Sequence, residues 1–188
     1  MRRLAVQRNT AGICVFDVDG TIVEVFEPHD ERVRWAKARD KQLLSTVVQY
    51  DNGWGKLVLY RPSVPIFMEK LLRHGCDLAI WSLNEENYVK QVLRMHPFYS
   101  TVNWKFVWSK SVTDKTEPLR KDLQKVYDLF PQYRPDRVIL YDDDKNQTDY
   151  NRSRNFAAVL VKRPELISLY KKGSDFFGQQ TLPWFAVA

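Results

Sequence analysis

Short apolar runs punctuate the chain and alternate with segments of helical periodicity. Five runs rich in β-branched and aromatic side chains lie at 13–18, 76–81, 104–108, 137–141 and 156–161. Each is bounded by turn or cap residues and predicts a buried strand. Between them, Phe67, Leu71 and Leu72 mark the buried face of a helix, which Ser63 can cap, with Pro65 in its first turn and Gly75 just past its end. Asn84 predicts the cap of a helix to about 95, with Glu85 and Glu86 at the end its dipole favours. Thr116 and Pro118 predict a helix running to about 130, and Asp30 opens a short one to about 40. Two strands, at 43–50 and 56–60, flank the turn Asp51-Asn52-Gly53 and predict a hairpin. Residues 22–29 read as an irregular loop, and 164–172 as a last helix. The tail at 173–188 carries Phe176, Phe177, Trp184 and Phe185, so it is expected to pack on the body. Strands alternating with helices predict an α/β protein: a doubly wound, mostly parallel sheet flanked by helices, with the hairpin as an insertion.

A length of 188 residues suits one domain, 1–188, with a core over about 12–172. The apolar fraction of 44% and charged fraction of 28% are those of a globular chain, and no run is long enough to span a membrane. The start, Met1-Arg2-Arg3-Leu4, lacks the apolar stretch of a secretory signal. Cys14 and Cys76 sit inside apolar runs and read as free thiols of an intracellular, reducing compartment, cytoplasm or nucleus. The net charge of +6 favours acidic partners, such as phosphorylated peptides or nucleic acid.

Candidate chemistry collects where the strands end. The first strand runs into Asp17-Val18-Asp19-Gly20-Thr21, which delivers two carboxylates to the carboxyl edge of a sheet, where open α/β sheets bind ligands. A calcium loop of the EF-hand kind is disfavoured, because the twelfth position from Asp17 is Pro28, not Glu, and the flank before it reads as strand. The second strand ends in Trp81-Ser82-Leu83-Asn84, a hydroxyl followed by a helix start, which suits a phosphate cradle; the alternative is a simple turn cap. Lys121, in Leu119-Arg120-Lys121-Asp122-Leu123, is placed to neutralise charge on a phosphoryl group, with Lys110 and Lys115 as rivals. The fourth strand ends in Asp142-Asp143-Asp144, three carboxylates that repel one another unless a cation sits among them. Mg²⁺ suits such oxygen ligands, and Asn146 follows where an amide could orient a carboxylate. His29, His74 and His96 have no zinc spacing, and neither a P-loop nor a dinucleotide fingerprint is present.

Asp-x-Asp-x-Thr, then Ser, Lys and paired Asp, in that order, resembles the haloacid-dehalogenase (HAD) superfamily of phosphatases. Arg61-Pro62-Ser63-Val64-Pro65-Ile66-Phe67, the stretch from Ser82 through Tyr88 to Val92, and Lys121-Asp122-Leu123 resemble the FCP/SCP-like, or NLI-interacting-factor-like, phosphatases of the RNA polymerase II C-terminal domain. Size and the Tyr-Asp-Asp ending are similar to the magnesium-dependent phosphatases. Gly20, where the FCP/SCP-like family has Glu, and the third carboxylate, Asp144, depart from the pattern. The resemblance implies a HAD-like Rossmannoid fold and a Mg²⁺-dependent phosphomonoesterase with Asp17 as nucleophile and Asp19 as acid and base. It also implies phosphate held by Thr21, Ser82, Leu83 and Lys121, and metal held by Asp17, Asp19 through its main chain, Asp142 and Asp143. The hairpin and helices fill the gaps between motifs and leave no room for a large cap domain, so a phosphorylated protein is the expected substrate. A nucleic-acid 3′-end phosphatase or nucleotidase is the alternative, and a non-catalytic binding module on the same fold is a third reading.

Overall fold

The computed structural model describes residues 12–39, 44–49, 53–113 and 118–162. The strands β1 (Gly12–Phe16), β5 (Cys76–Trp81), β6 (Val107–Trp108), β7 (Val138–Asp142) and β8 (Ala157–Leu160) form one parallel sheet in the order β6-β5-β1-β7-β8. Central β1 is buried at every position, as a parallel strand covered on both faces must be. Strand alternation divides its side chains between two cores. Cys14 and Phe16 meet α2 (Ser63–Arg73) and α3 (Glu86–Met95) through Val64, Phe67, Val89 and Val92. Ile13 and Val15 meet α4 (Leu123–Leu129) through Leu123 and Val126 on the other face. The sheet is therefore doubly wound and α/β, as the sequence predicts.

A second, antiparallel sheet joins β2 (Val23–Phe26), β4 (Gly55–Tyr60) and β3 (Ser45–Gln49) in the order β2-β4-β3. Strands β3 and β4 are the expected hairpin; β2 corrects the expected loop at 22–29. Its strand character comes from pairing with β4, a non-local partner that periodicity does not reveal. The short helix α1 (Glu31–Arg39) stands where Asp30 announced it. Gly75, at φ +78°, ends α2 in the left-handed conformation that favours glycine.

Three helix starts differ from expectation. Pro62, not Ser63, stands at the N-terminus of α2, and Ser63 is its first helical residue. Glu85, not Asn84, stands at the N-terminus of α3. The helix expected from Thr116 begins at Leu123, capped by Asp122, whose carboxylate accepts from the Gln124 N–H at 3.0 Å. A fifth helix, α5 (Lys145–Ser153), stands between the Asp142-Asp143-Asp144 run and β8, where the sequence pattern marks no helix. The third sheet strand is shorter than expected, two residues at Val107–Trp108. The Asp51-Asn52 turn, Lys115, the helix at 164–172 and the aromatic tail lie outside the described residues. No helix among the described residues is long and apolar enough to cross a membrane. Cys14 and Cys76 are both free and buried.

Candidate active site

The register of the central strands brings two carboxylates together. Phe16 on β1 lies opposite Tyr141 on β7, and their rings stack with centroids 4.8 Å apart and planes 8° from parallel. The Asp17 N–H donates to the Tyr141 carbonyl at 2.9 Å, so Asp17 and Asp142 leave the sheet side by side. Alternation turns both away from the stacked rings, toward the face that α4 covers. Lys121 enters from that face, in the extended segment just before α4. Its Nζ donates to Asp17 Oδ1 and, at 2.8 Å, to Asp142 Oδ2.

All three groups are nearly sealed from solvent: Asp17 is 7% exposed, Lys121 2% and Asp142 1%. Burial raises the Asp17 carboxyl well above the usual carboxylate range, Lys121 pulls it back, and Asp142 pushes it up again. Burial likewise raises Asp142, against the pull of Lys121. Burial alone would lower the Lys121 ammonium, but the two carboxylates more than offset this and hold it above its ordinary value. The cluster stores negative charge at high local cost and keeps one cation among it. A phosphoryl group, itself anionic, is received in such a place only with positive charge at hand.

Asp19 is set apart from this trio. Its Oδ1 accepts from the Tyr88 hydroxyl at 2.6 Å, and its Oδ2 from the Asn84 amide. Burial raises its carboxyl, and the bonds from Tyr88 and Asn84 pull it back down. The two aspartates of the motif thus occupy different electrostatic surroundings, as a nucleophile and an acid–base must. Just past Asp19 the chain turns sharply at Gly20, φ +77°. The turn is pinned by Arg61, which is fully buried. Its Nη2 donates to the Gly20 carbonyl and to Glu24 Oε1, both at 2.5 Å. Of these supports, Arg61 and Tyr88 were visible in the sequence only through the family resemblance, and Asn84 was read as a cap. Glu24 gave no signal.

The three consecutive carboxylates divide their tasks. Asp142 faces Lys121 and also accepts the Asp144 N–H at 2.8 Å. Asp144 caps α5, its carboxylate accepting from the Asn146 N–H at 2.8 Å. Asn146 is engaged there through its main chain, and its side chain orients no carboxylate in the described contacts. Asp143 is half-buried beside them. One carboxylate oxygen each from Asp17, Asp142 and Asp143 lies within 4.8 Å of the others, a set of hard oxygen donors that fits a divalent cation.

Ser82, one residue past β5, is 1% exposed; its hydroxyl oxygen accepts from the Asn84 N–H at 3.1 Å, leaving its own proton to donate. Half-exposed Leu83 follows. The Thr21 hydroxyl is buried and has no hydrogen-bond partner among the described residues. Such an orphaned group costs about 1–3 kcal/mol and points to an absent partner. Lys110 lies on an exposed single turn, and among the described residues it meets the site through its N–H, which donates to the Asn84 carbonyl at 2.9 Å.

A family model described as NLI interacting factor-like phosphatase matches residues 13–160. Among solved structures, a variant of the fission yeast RNA polymerase II CTD phosphatase Fcp1 bound to beryllium fluoride is similar, with TM-score 0.59 and 19% identity. A second Fcp1 structure gives TM-score 0.61 and 18% identity. Each match covers 85% of this chain and 43% of the Fcp1 chain, so the chain spans less than half of that relative's length. A predicted phosphoglycolate phosphatase from Haemophilus somnus 129PT is similar with TM-score 0.50 and 14% identity, over 84% of this chain and 87% of that one. No curated protein matched the chain. The match over most of its length, on a HAD-like fold, shows that this chain belongs to the NLI interacting factor-like phosphatases, of the FCP/SCP type.

Proposed function

We propose that the protein is a Mg²⁺-dependent phosphomonoesterase that works through an aspartyl-phosphate on Asp17, with phosphoserine or phosphothreonine of a protein as its substrate. The observation that carries this reading is the meeting of Asp17, Asp142, Asp143 and Lys121 at the carboxyl ends of β1 and β7. Asp17, the Asp19 main chain, Asp142 and Asp143 would hold the cation, which offsets the repulsion between a carboxylate and a phosphate dianion. Asp17 attacks phosphorus in line, forming an oxygen–phosphorus bond as the bond to the seryl or threonyl oxygen breaks. Asp19 gives that leaving oxygen its proton, then takes a proton from the water that cleaves the acyl phosphate and restores Asp17. Thr21, Ser82, the Leu83 main chain and Lys121 hold the phosphoryl oxygens. A protein substrate is favoured because no separate cap domain stands between the motifs among the described residues. The two free thiols favour a reducing compartment, cytoplasm or nucleus.

The test is turnover of phosphopeptides against 3′-phosphorylated oligonucleotides, each with Mg²⁺ and with EDTA. Release of phosphate from phosphopeptides, lost in EDTA, is expected. Preference for oligonucleotides, with steep salt dependence, would transfer the reading to nucleic-acid ends. Binding of Mg²⁺ with no hydrolysis of either would leave a binding module.

Tyr88→Phe probes the acid–base. It removes a hydrogen bond that favours the charged form of Asp19, so the Asp19 carboxyl rises further and is ionised over a narrower pH range. The expected result is a kcat about tenfold lower at neutral pH, from one lost charge-assisted bond. The acidic limb of the kcat–pH profile should also move to higher pH. An unmoved limb would place Asp19 outside the rate-limiting proton transfer.

A further inference from the structure

The extended segment that carries Lys121 is held by α5, and the grip is made by two amide side chains rather than by apolar packing. Gln147 Nε2 donates to the Leu119 carbonyl at 2.9 Å, and Gln147 Oε1 accepts from the Lys121 N–H at 2.9 Å. One helical turn on, Asn151 Nδ2 donates to the Lys121 carbonyl at 2.8 Å, and Asn151 Oδ1 accepts from the Leu123 N–H at 2.9 Å. Both amides are buried, Gln147 at 3% and Asn151 at 0% exposure. Their spacing fits the chain they hold. Residues i and i+4 lie about 6 Å apart along a helix, and two residues of extended chain span about 6.6 Å. Two amides one turn apart can therefore present, to alternate residues, the donor–acceptor pattern of a neighbouring strand.

We propose that Gln147 and Asn151 are positioning residues for Lys121. They anchor both main-chain polar groups of a residue whose long side chain would otherwise swing, and so keep Nζ between Asp17 and Asp142. The same helix reaches Asp142 at its start, where the Asp144 N–H meets Asp142 Oδ1. Helix α5 thereby sets the acidic and the basic half of the cluster from one rigid element. The inference rests on the proposed reading of Lys121 as the cation that holds the phosphoryl group.

A double-mutant cycle on the full chain tests it, with an aryl phosphate and Mg²⁺, at enzyme concentrations that let the slowest variant be followed. Lys121→Met is expected to lower kcat at least a hundredfold, and Gln147→Leu about tenfold, with little change in KM. In the Lys121→Met background, Gln147→Leu should lower kcat less than twofold, because the side chain it positions is gone. The same factor in both backgrounds would show a general structural role and overturn the proposal. Wild-type kcat in a folded Gln147→Leu, beside a crippled Lys121→Met, would overturn it while sparing the reading of the site. Wild-type kcat in Lys121→Met would sink both. Should Gln147→Leu not fold, Gln147→Glu carries the cycle; it keeps the shape and the acceptor for the Lys121 N–H but loses the donor to Leu119.

Discussion

Asp17→Asn is expected to lower kcat by roughly four or more orders of magnitude, while the protein melts, in EDTA, no lower than wild type at pH 7. The amide has the shape of the carboxylate but neither its charge nor its nucleophilic oxygen, so no acyl phosphate can form. The stability half of the prediction follows from linkage. Burial raises the folded-state Asp17 carboxyl above its unfolded value. The folded protein therefore binds the proton more tightly than the unfolded chain, and stability is lost as pH rises through the two values. Above the unfolded-state value the wild type bears a cost that grows with pH until the folded-state value is passed, and Asp17→Asn bears none of it. The variant keeps one carboxylate partner for Lys121, Asp142. A melting temperature well below wild type would mean that the ion pair outweighs the burial it answers. Substantial residual turnover would remove Asp17 as the nucleophile.

Arg61→Leu is expected to destabilise the fold by about 3–5 kcal/mol, the range for breaking a buried ion pair from one side. The guanidinium is sealed from solvent and Glu24 is 12% exposed, so solvent screens the pair little. Leucine would leave the Glu24 carboxylate and the Gly20 carbonyl without their donor. Pairing the change with Glu24→Leu should recover much of the loss, since two apolar side chains leave no stranded charge. Urea unfolding measures both. A loss under about 1 kcal/mol in Arg61→Leu would show that the turn at Gly20 stands without its pin.

The elements that sequence reasoning placed well are those whose stability is local or whose burial is complete. Strands β1, β5, β7 and β8 read clearly because each is a nearly continuous apolar run ended by a polar turn. Asp17 and Asp142 were legible as strand-end carboxylates for the same reason. Helix α5 was not legible, because its buried face is Gln147, Thr148 and Asn151, which gives no apolar period to detect. The same polar face explains the error at Lys121. Propensity and Pro118 favour a helix from 116, but the Gln147 and Asn151 amides hold 119–123 extended, so tertiary hydrogen bonds override the local preference. Strand β2 depends on β4, more than thirty residues away. The third carboxylate, Asp144, turned out to be a helix cap, a role that could be read only once the helix was known.

Asp17 is expected to carry the phosphoryl group during turnover. Quenching the enzyme during turnover of an aryl phosphate, then reducing the acyl phosphate with borohydride, converts the phosphorylated aspartate to homoserine, which peptide mass spectrometry locates. Homoserine is expected at position 17, dependent on substrate and absent from Asp17→Asn. Homoserine at another residue, or none in an enzyme that is turning over, would contradict it.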